Sequence, residues 1–446
     1  MEKILRLIKK LIPNKIFRSL QPIYHRAMAF LGAIFYQFPS RRIKVVGITG
    51  TKGKTTTAEF VNAILEEAGF KTALMGTLRF KIGNQSRPNL RKMTMPGRFF
   101  TQKFLRQAVL ANCDWVIMEM TSEGAAQFRH QWVELDALIF TNLSPEHIES
   151  HGSYEKYVAA KLSIAKSSLE KSRKRPRAII ANANDKESEK FLATKVEYRI
   201  AYQIKRDDKK SVNLNSQIPK WQVDVYETDR MGAVKFAFDN EIIQLKLIGY
   251  FNAENALAAA VFAKSLNIPS ATIKKALEGV KKIPGRTEFV DENQPFQVVV
   301  DYAHTPDSLA ALYHAFPNKR KICVLGNTGG GRDKWKRPKM GEIADQNCAE
   351  IILTDEDPYD ENPRQILADM EKGFSKHRPE IILDRREAIR RALSLAKKDD
   401  VVLITGKGTD PFIMLANGHK LPWSDEKVVR EELIKLKEKK EKGWAK

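Results

Sequence analysis

One run of residues constrains this chain more than any other: Gly47-Ile48-Thr49-Gly50-Thr51-Lys52-Gly53-Lys54-Thr55-Thr56-Thr57. Residues 43–49 are a short β-branched stretch and read as a buried strand, while residues 56–68 carry a helical pattern. Strand, glycine-rich turn and helix in that order make a phosphate loop. Glycines let backbone N–H groups approach phosphate oxygens, Lys54 reaches the terminal phosphates, and the Thr55 hydroxyl can ligate Mg2+. The helix that follows turns its positive N-terminus toward the same anion. The usual spacing asks for glycine where this chain has Ile48.

Around the loop the chain alternates. Residues 72–75, 115–120, 137–141 and 178–181 read as buried strands, with helical segments at 100–111 and 153–171. Such alternation predicts an α/β fold with a mostly parallel, P-loop-type sheet covered on both faces. Residues 196–247 alternate polar and apolar positions and read as an antiparallel extension of that sheet. Helical patterns resume at 253–266 and 270–280. Ile283-Pro284-Gly285-Arg286 reads as a linker, beyond which strands at 297–300, 321–325, 350–353 and 401–405 predict a smaller Rossmann-like α/β domain. The expected division is a basic amphipathic segment over 1–42, a central ATP-binding domain over 43–284 and a C-terminal domain over 285–446. A length of 446 residues agrees, being too long for one hydrophobic core.

Cys113, Cys323 and Cys348 are scattered and odd in number, which fits a reducing cytosol and predicts neither a disulfide framework nor a zinc ribbon. The formal charge of +22 suits anionic partners or a lysine-rich solvated surface equally well. No aromatic-interleaved basic motif of a nucleic-acid module is present, so no nucleic acid is expected as a partner. Residues 1–22 set Ile4, Leu5, Ile8, Leu11 and Ile12 against Lys3, Lys9 and Lys10. The apolar stretch 28–38 is about half the roughly 20 residues of a membrane-spanning helix. The segment 1–38 can lie on an anionic membrane surface or dock on the next domain.

Further motifs follow the loop in order: Met118-Glu119-Met120-Thr121-Ser122, Thr141-Asn142-Leu143-Ser144-Pro145-Glu146-His147, His151-Gly152 and Tyr157-Val158-Ala159-Ala160-Lys161. Then come residues 249–256, Pro284-Gly285-Arg286-Thr287-Glu288, Val300-Asp301-Tyr302-Ala303-His304-Thr305-Pro306-Asp307, residues 326–334 and Gly406-Lys407-Gly408. From about residue 43 onward this ordered set resembles the Mur ligases, which attach amino acids to the peptidoglycan precursor. The run 301–307 and Gly-Gly-Gly-Arg-Asp-Lys at 329–334 are most like the branch that adds the third residue of the stem peptide.

The resemblance implies an ADP-forming ligase working through an acyl-phosphate, with ATP and Mg2+ as cofactors and a UDP-linked muramoyl-peptide and an amino acid as partners. It assigns Gly50, Thr51, Lys52, Gly53, Lys54, Thr55 and Thr56 to the nucleotide phosphates. Asn252, Arg286 and Asp301 would grip adenine, phosphate and ribose across the interdomain cleft, with Asn255 and His304 as further candidates. Thr55 and Glu119 would hold one Mg2+ and His147 a second. Lys161 would be carbamylated, since an unmodified lysine is no magnesium ligand. Lys54 and Arg332 would balance charge during transfer. Thr94, Ser122, Gln127 and Arg129 match positions that contact the muramoyl-peptide.

The chain also departs from that pattern. Only 42 residues precede Ile43, where family members carry a UDP-binding domain of roughly a hundred residues. Uridine recognition is then expected to be reduced or rebuilt, or the acceptor to differ. Diaminopimelate-adding relatives carry Asp-Asn-Pro-Arg where this chain has Glu356-Asp357-Pro358-Tyr359, and tyrosine lacks the fork that arginine offers a carboxylate. Gly406-Lys407-Gly408-Thr409-Asp410 stands for Gly-Lys-Gly-His-Glu, and Asp410 can still hold an amine. Diaminopimelate and lysine both stay open as the added residue. Two other readings are a related ligase of the folylpolyglutamate or cyanophycin type, and a non-catalytic nucleotide-binding scaffold.

Overall fold

The computed structural model describes residues 14–205, 217–227 and 233–443. The chain forms two compact units: Met1–Leu143 with Glu155–Gln222 and Leu257–Ile273, and Ser144–Tyr154 with Val223–Ala256 and Lys274–Lys446.

The first unit opens with helix α1 (Asn14–Phe35), which packs against α3 (Arg98–Leu110). Its centre is a nine-stranded sheet in the order β4-β3-β2-β5-β1-β6-β7-β8-β9. β1 (Lys44–Thr49) runs parallel between β5 (Trp115–Met120) and β6 (Ala137–Phe140). β2 (Thr72–Met75), β7 (Ala178–Asn182) and β8 (Tyr198–Ile204) extend the parallel run. The hairpin of β3 (Arg79–Ile82) and β4 (Gln85–Pro88) is antiparallel at one edge, and β9 (Lys220–Val223) lies at the other. Every residue of β2, β5, β6 and β7 is buried, as parallel strands covered on two faces require. Helix α2 (Lys54–Glu67) seals one face with Phe60, Val61, Ile64 and Leu65, each 0% exposed. Trp115 stacks edge-on against Phe262 of α8 (Tyr250–Ser265) at 5.5 Å.

Short helices complete this unit: α4 (Ser122–Ala126), then α6 (Tyr154–Ile164), continued by a π-helical turn over Ala165–Glu170, and α7 (Ser188–Leu192); α5 (Ile148–His151) belongs to the second unit. The region 196–247 corrects the expected single antiparallel extension. β8 joins the large sheet parallel to β7, its last four residues buried as on a two-sided strand. β10 (Val225–Glu227), β11 (Ala233–Phe238) and β12 (Glu241–Ile248) instead form a separate three-stranded antiparallel sheet. The alternating burial of β12 is that of a strand with one wet face.

In the second unit a six-stranded sheet runs β13-β14-β18-β15-β16-β17. After α9 (Ser270–Gly279), β13 (Glu288–Phe289) pairs antiparallel with β14 (Gln297–Asp301). β15 (Lys321–Leu325), β16 (Glu350–Leu353), β17 (Glu380–Ile381) and β18 (Val401–Thr405) are parallel. One face packs on α10 (Pro306–His314), α11 (Lys336–Asn347) and α12 (Pro363–Glu371) through Leu309, Tyr313, Met340 and Leu367. The other packs on α13 (Arg385–Leu395) and α14 (Asp425–Gly443) through Ile389, Leu393 and Val429. A small hairpin, β19 (Phe412–Met414) and β20 (Lys420–Pro422), follows β18. Arg385 and Asp425 pair in the interior at 2.7 Å, each almost wholly buried, and tie the two outer helices together.

The expectation of unpaired thiols is corrected here. Cys323 of β15 and Cys348 after α11 form a disulfide with Cα atoms 6.1 Å apart, both in the core between strand and helix. That proximity is created by packing across 25 positions and leaves no trace in the spacing.

His130 is 1% exposed, with Nε2 on the Ser167 hydroxyl at 2.8 Å and Nδ1 without a partner. Burial pushes its pKa down from 6.5 to about 4. Between those values the unfolded chain binds a proton that the folded chain excludes, so stability falls as pH drops through this window. Urea midpoints are expected to decline from pH 6.5 toward 4, less steeply in His130→Gln; equal slopes would contradict this cause.

Candidate functional site

The C-terminal ends of β1, β5 and β6 lie in register, Thr49 beside Met120 on one side and Phe140 on the other. The segments leaving these strands therefore meet at one edge, where open α/β sheets bind ligands. The phosphate loop is clipped to the end of β6. Thr51 N donates to Asn142 O at 2.8 Å, Lys52 N to Asn142 Oδ1 at 2.9 Å, and Thr141 Oγ1 to Lys52 O at 2.6 Å. Gly50 has φ +151°, and a Cβ there would stand 2.0 Å from Thr141 Oγ1, so no side chain is admitted. Lys54 Nζ curls over the loop and donates to the carbonyls of Gly50 and Thr51, both at 2.9 Å. Thr55 and Thr56 are buried in the first turn of α2.

Glu119 sits one residue from the end of β5, 1% exposed. Its Oε2 accepts from Thr55 Oγ1 and from Thr77 Oγ1, both at 2.9 Å, and its Oε1 from Thr77 N at 2.7 Å. Three donors hold a carboxylate that burial would otherwise penalise by several kcal/mol, to order of magnitude. Gly76 makes the approach feasible, since a Cβ there would lie 2.5 Å from Glu119 Oε1. Thr77 Oγ1 also contacts Thr94 Oγ1 at 2.9 Å, so one hydroxyl links the carboxylate to the segment around Met95.

Lys161, 2% exposed on α6, donates from Nζ to Gly50 O at 2.6 Å and lies 5.0 Å from the Tyr157 ring centre. The Tyr157 hydroxyl meets Thr51 Oγ1 at 2.7 Å. The lysine thus touches the phosphate loop itself. Nearby, Arg129 donates to Met95 O and, at 2.7 Å, to Gln127 Oε1, while Arg98 binds Gln127 O. Ser122 is buried at the start of α4, which Thr121 caps. Thr94, Gln127 and Arg129 are therefore neighbours through the 94–98 segment.

The remaining candidates lie in the second unit. His147 caps α5 with φ 57°. Beside it Glu146 is buried; burial pushes its pKa up, but the His304 hydrogen bond at 3.1 Å and the charges of His147, His304 and Lys336 hold it well below the usual range. Asp301 accepts from Thr287 N at 2.6 Å and Ala303 N at 2.7 Å, and burial raises its pKa against the attraction of Arg286. The Arg286 guanidinium lies 4.5 Å over the Tyr302 ring. Asn252 Nδ2 donates to Ile248 O at 2.8 Å.

A third cluster forms where β18 ends. Lys407, 0% exposed, donates to Asp357 Oδ1 at 2.8 Å, Asp410 Oδ2 at 3.0 Å and Phe412 O at 2.7 Å. Asp357 and Asp410 are thus joined through one ammonium. Tyr359 has φ 53° and its ring packs over Gly330. Burial raises its hydroxyl pKa, opposed by a hydrogen bond from Arg332. Gly406 has φ +103°, and a Cβ there would meet Glu356 Oε2 at 2.4 Å. Glu356 is 3% exposed: Oε1 accepts from Thr328 Oγ1 at 2.7 Å, and Oε2 has no hydrogen-bond partner among the described residues.

Sequence reasoning passed over Thr77 as a partner of Glu119, and over Glu356 as a buried carboxylate with an open oxygen. Thr77 follows the end of β2 by two residues and Glu356 the end of β16 by three, and only the Gly-Thr and Thr-Asp-Glu-Asp runs hint at them. Among the described residues no three His, Cys, Asp or Glu side chains converge as a ready-made metal cage. The Thr55–Glu119 oxygen pair does fit magnesium, which is commonly held by one or two carboxylates together with substrate phosphates.

Comparison with known proteins bears on the family of the chain. The family model of the Mur ligase middle domain matches residues 48–263, and that of the Mur ligase, glutamate ligase domain matches 285–408. The UDP-N-acetylmuramoyl-L-alanyl-D-glutamate--2,6-diaminopimelate ligase of Syntrophomonas wolfei is 38% identical over 417 residues, 92% of this chain and 82% of that relative. Its namesake from Bacillus velezensis is 35% identical over 418 residues, 93% and 83% of the two chains. A solved structure of a ligase of the same name aligns with TM-score 0.57 and 25% identity over 88% of this chain and 79% of that one. A pseudomurein peptide ligase type C from Methanothermus fervidus shares the fold, with TM-score 0.62 at 20% identity over 89% and 79%. Matched across both domains and aligned over most of its length, this chain belongs to the Mur ligase family.

Proposed function

We propose that the chain is an ADP-forming ligase of the cytoplasm that adds an amino acid to the terminal carboxylate of a UDP-N-acetylmuramoyl-L-alanyl-D-glutamate-type acceptor. The observation that carries this reading is the buried Glu119 carboxylate, bonded at once to Thr55 of the phosphate loop and, through Thr77, to Thr94. A strand-end carboxylate beside the loop threonine is common to phosphate loops that hold magnesium; the link onward through Thr77 to Thr94 is what ties it to a second segment. ATP use is typical of the family, and magnesium its usual ion.

In this reading an acceptor carboxylate oxygen attacks the γ-phosphorus of ATP. The bond from that phosphorus to the bridging oxygen breaks, ADP leaves, and an acyl-phosphate forms. The amine then attacks the acyl carbon, the carbon–oxygen bond breaks, inorganic phosphate departs, and the amine sheds a proton. Phosphorylation turns an unreactive carboxylate into an electrophile. Backbone N–H groups of residues 50–53 and the Lys54 ammonium would bind the phosphates; Thr51 and Lys52 would exchange their bonds to Asn142, and Lys54 its bonds to Gly50 and Thr51, for phosphate oxygens. Thr55 and Glu119 would hold Mg2+, which when bound offsets the charge that gathers on the transferred group. His147 would meet a second cation through nitrogen, a donor magnesium accepts less readily than oxygen.

Lys161 would act here after carbamylation: the ammonium now on Gly50 O would lose a proton, and its nitrogen would bond CO2 and release a second proton, leaving an anionic carbamate beside the loop. Asn252, Arg286 and Asp301 would take adenine, phosphate and ribose. Thr94, Ser122, Gln127 and Arg129 would take the acceptor peptide. Arg332 would balance charge at transfer, while Asp357, Tyr359, Gly406 and Asp410 would line the amino-acid site. Tyr359 in place of an arginine removes the fork that would hold a second carboxylate, which favours a side chain ending in an amine. Lysine fits that description better than diaminopimelate.

Phosphate release with ATP, Mg2+, the UDP-linked dipeptide and single amino acids checks the reading. Turnover is expected only with acceptor and amino acid together, and lysine should exceed diaminopimelate. Turnover with folate- or aspartate-type acceptors, or none with any acceptor despite ATP binding, would overturn it. Lys161→Ala is expected to lower kcat by about a hundredfold or more, whereas the parent should respond to added bicarbonate. Full activity in the variant would end the carbamylation assignment.

A further inference from the structure

Helix α1 meets the rest of its unit through small residues. Ala29 and Ala33 are almost wholly buried, and Gly32 lies against the Phe99 ring of α3. The opposite arc is apolar and bare: Ile23, Tyr24, Phe30, Leu31, Ile34 and Phe35 are 40% to 71% exposed. Positions 23, 27, 30, 31 and 34 recur at helical spacing, so these side chains form one stripe rather than scattered contacts. Trp132, itself 41% exposed, widens the patch by packing on Phe30 at 4.9 Å between ring centres. A stripe of this size on a soluble surface marks a place where something sits.

Charge identifies what sits there. Residues 1–42 hold nine lysines and arginines against the single acid Glu2, and residues 68–113 hold nine with no aspartate or glutamate at all. These two stretches carry net charges of +8 and +9, most of the chain's +22. Within them, α1 lies on α3. Lys103 is exposed one turn beyond Phe99 on the same side of α3, and Arg87 and Arg91 are exposed as well. A second copy of this chain would bring the same positive surface and be repelled. No described helix is long and apolar enough to cross a membrane.

We propose that α1 seats this protein on a membrane surface rich in anionic lipid, its apolar stripe among the acyl chains and its basic flanks on the headgroups. The Arg26 guanidinium of α1 lies 4.6 Å over the ring of Phe128, which stands between Gln127 and Arg129, so the helix borders the segment read above as the acceptor site. Docking would therefore bring that segment close to the lipid. The docking itself does not depend on the proposed activity, and the two fail separately.

The test is co-sedimentation of the full chain with vesicles of phosphatidylcholine alone or mixed with phosphatidylglycerol, beside a Leu31→Glu/Ile34→Glu variant whose exposed positions leave the core intact. The parent is expected to pellet with the mixed vesicles, to be released by salt, and to bind at least roughly tenfold more tightly than the variant. The thermal midpoint and nucleotide binding of the variant should match the parent. Equal pelleting of the two proteins, no pelleting with anionic vesicles, or a parent dimer in sedimentation equilibrium that the substitutions dissociate would overturn the proposal.

Discussion

A carboxylate buried at the end of a β-strand is costly unless donors surround it, and Glu119 is surrounded by three. Those three donors come from two residues, Thr55 and Thr77, which the parallel sheet places beside the carboxylate. Thr55 stands in the first turn of the helix after β1, Thr77 in the turn after β2, and Glu119 on β5 between those strands. The strand order β2-β5-β1 is therefore what creates the site. Gly76 and Gly50 are the local conditions for it, one admitting the carboxylate and the other admitting Thr141. Lys161 then closes on the same loop from α6, so nucleotide binding and the charge of that lysine are coupled by contact.

Much of this was legible in the sequence because it rests on local rules. The strand, glycine turn and helix around residues 43–68 follow from β-branching, glycine placement and helical period, and all appear where those rules put them. The four strands read after residue 297 are β14, β15, β16 and β18. What escaped was non-local. Whether residues 220–248 extend one sheet or build another depends on which partner edge is free, which alternation cannot encode. The disulfide depends on a helix returning Cys348 to β15. Thr77 escaped because a single threonine after glycine has no motif around it, and its role appears only once Glu119 is beside it.

The two ends of the molecule's chemistry differ in how they handle charge. In the first unit, residues 68–113 carry nine lysines and arginines and no acid; Arg79 and Lys81 pair with Glu59 and Glu66 of α2, while Arg87, Arg91 and Lys103 stay exposed. In the second, cations are consumed internally: Lys407 by Asp357 and Asp410, Arg385 by Asp425, Arg286 by its place over Tyr302 and near Asp301. Tyr359 and the open Glu356 oxygen are the exceptions, and they fall in the segment expected to choose the amino acid.

The central claim is that Glu119 and Thr55 hold magnesium for nucleotide on the phosphate loop. Calorimetric titration of ATP into the parent and into Glu119→Gln, with and without Mg2+, tests it most directly. The parent is expected to bind more tightly when Mg2+ is present, and the variant to lose that gain while keeping its metal-free affinity. An undiminished magnesium dependence in Glu119→Gln would contradict the account.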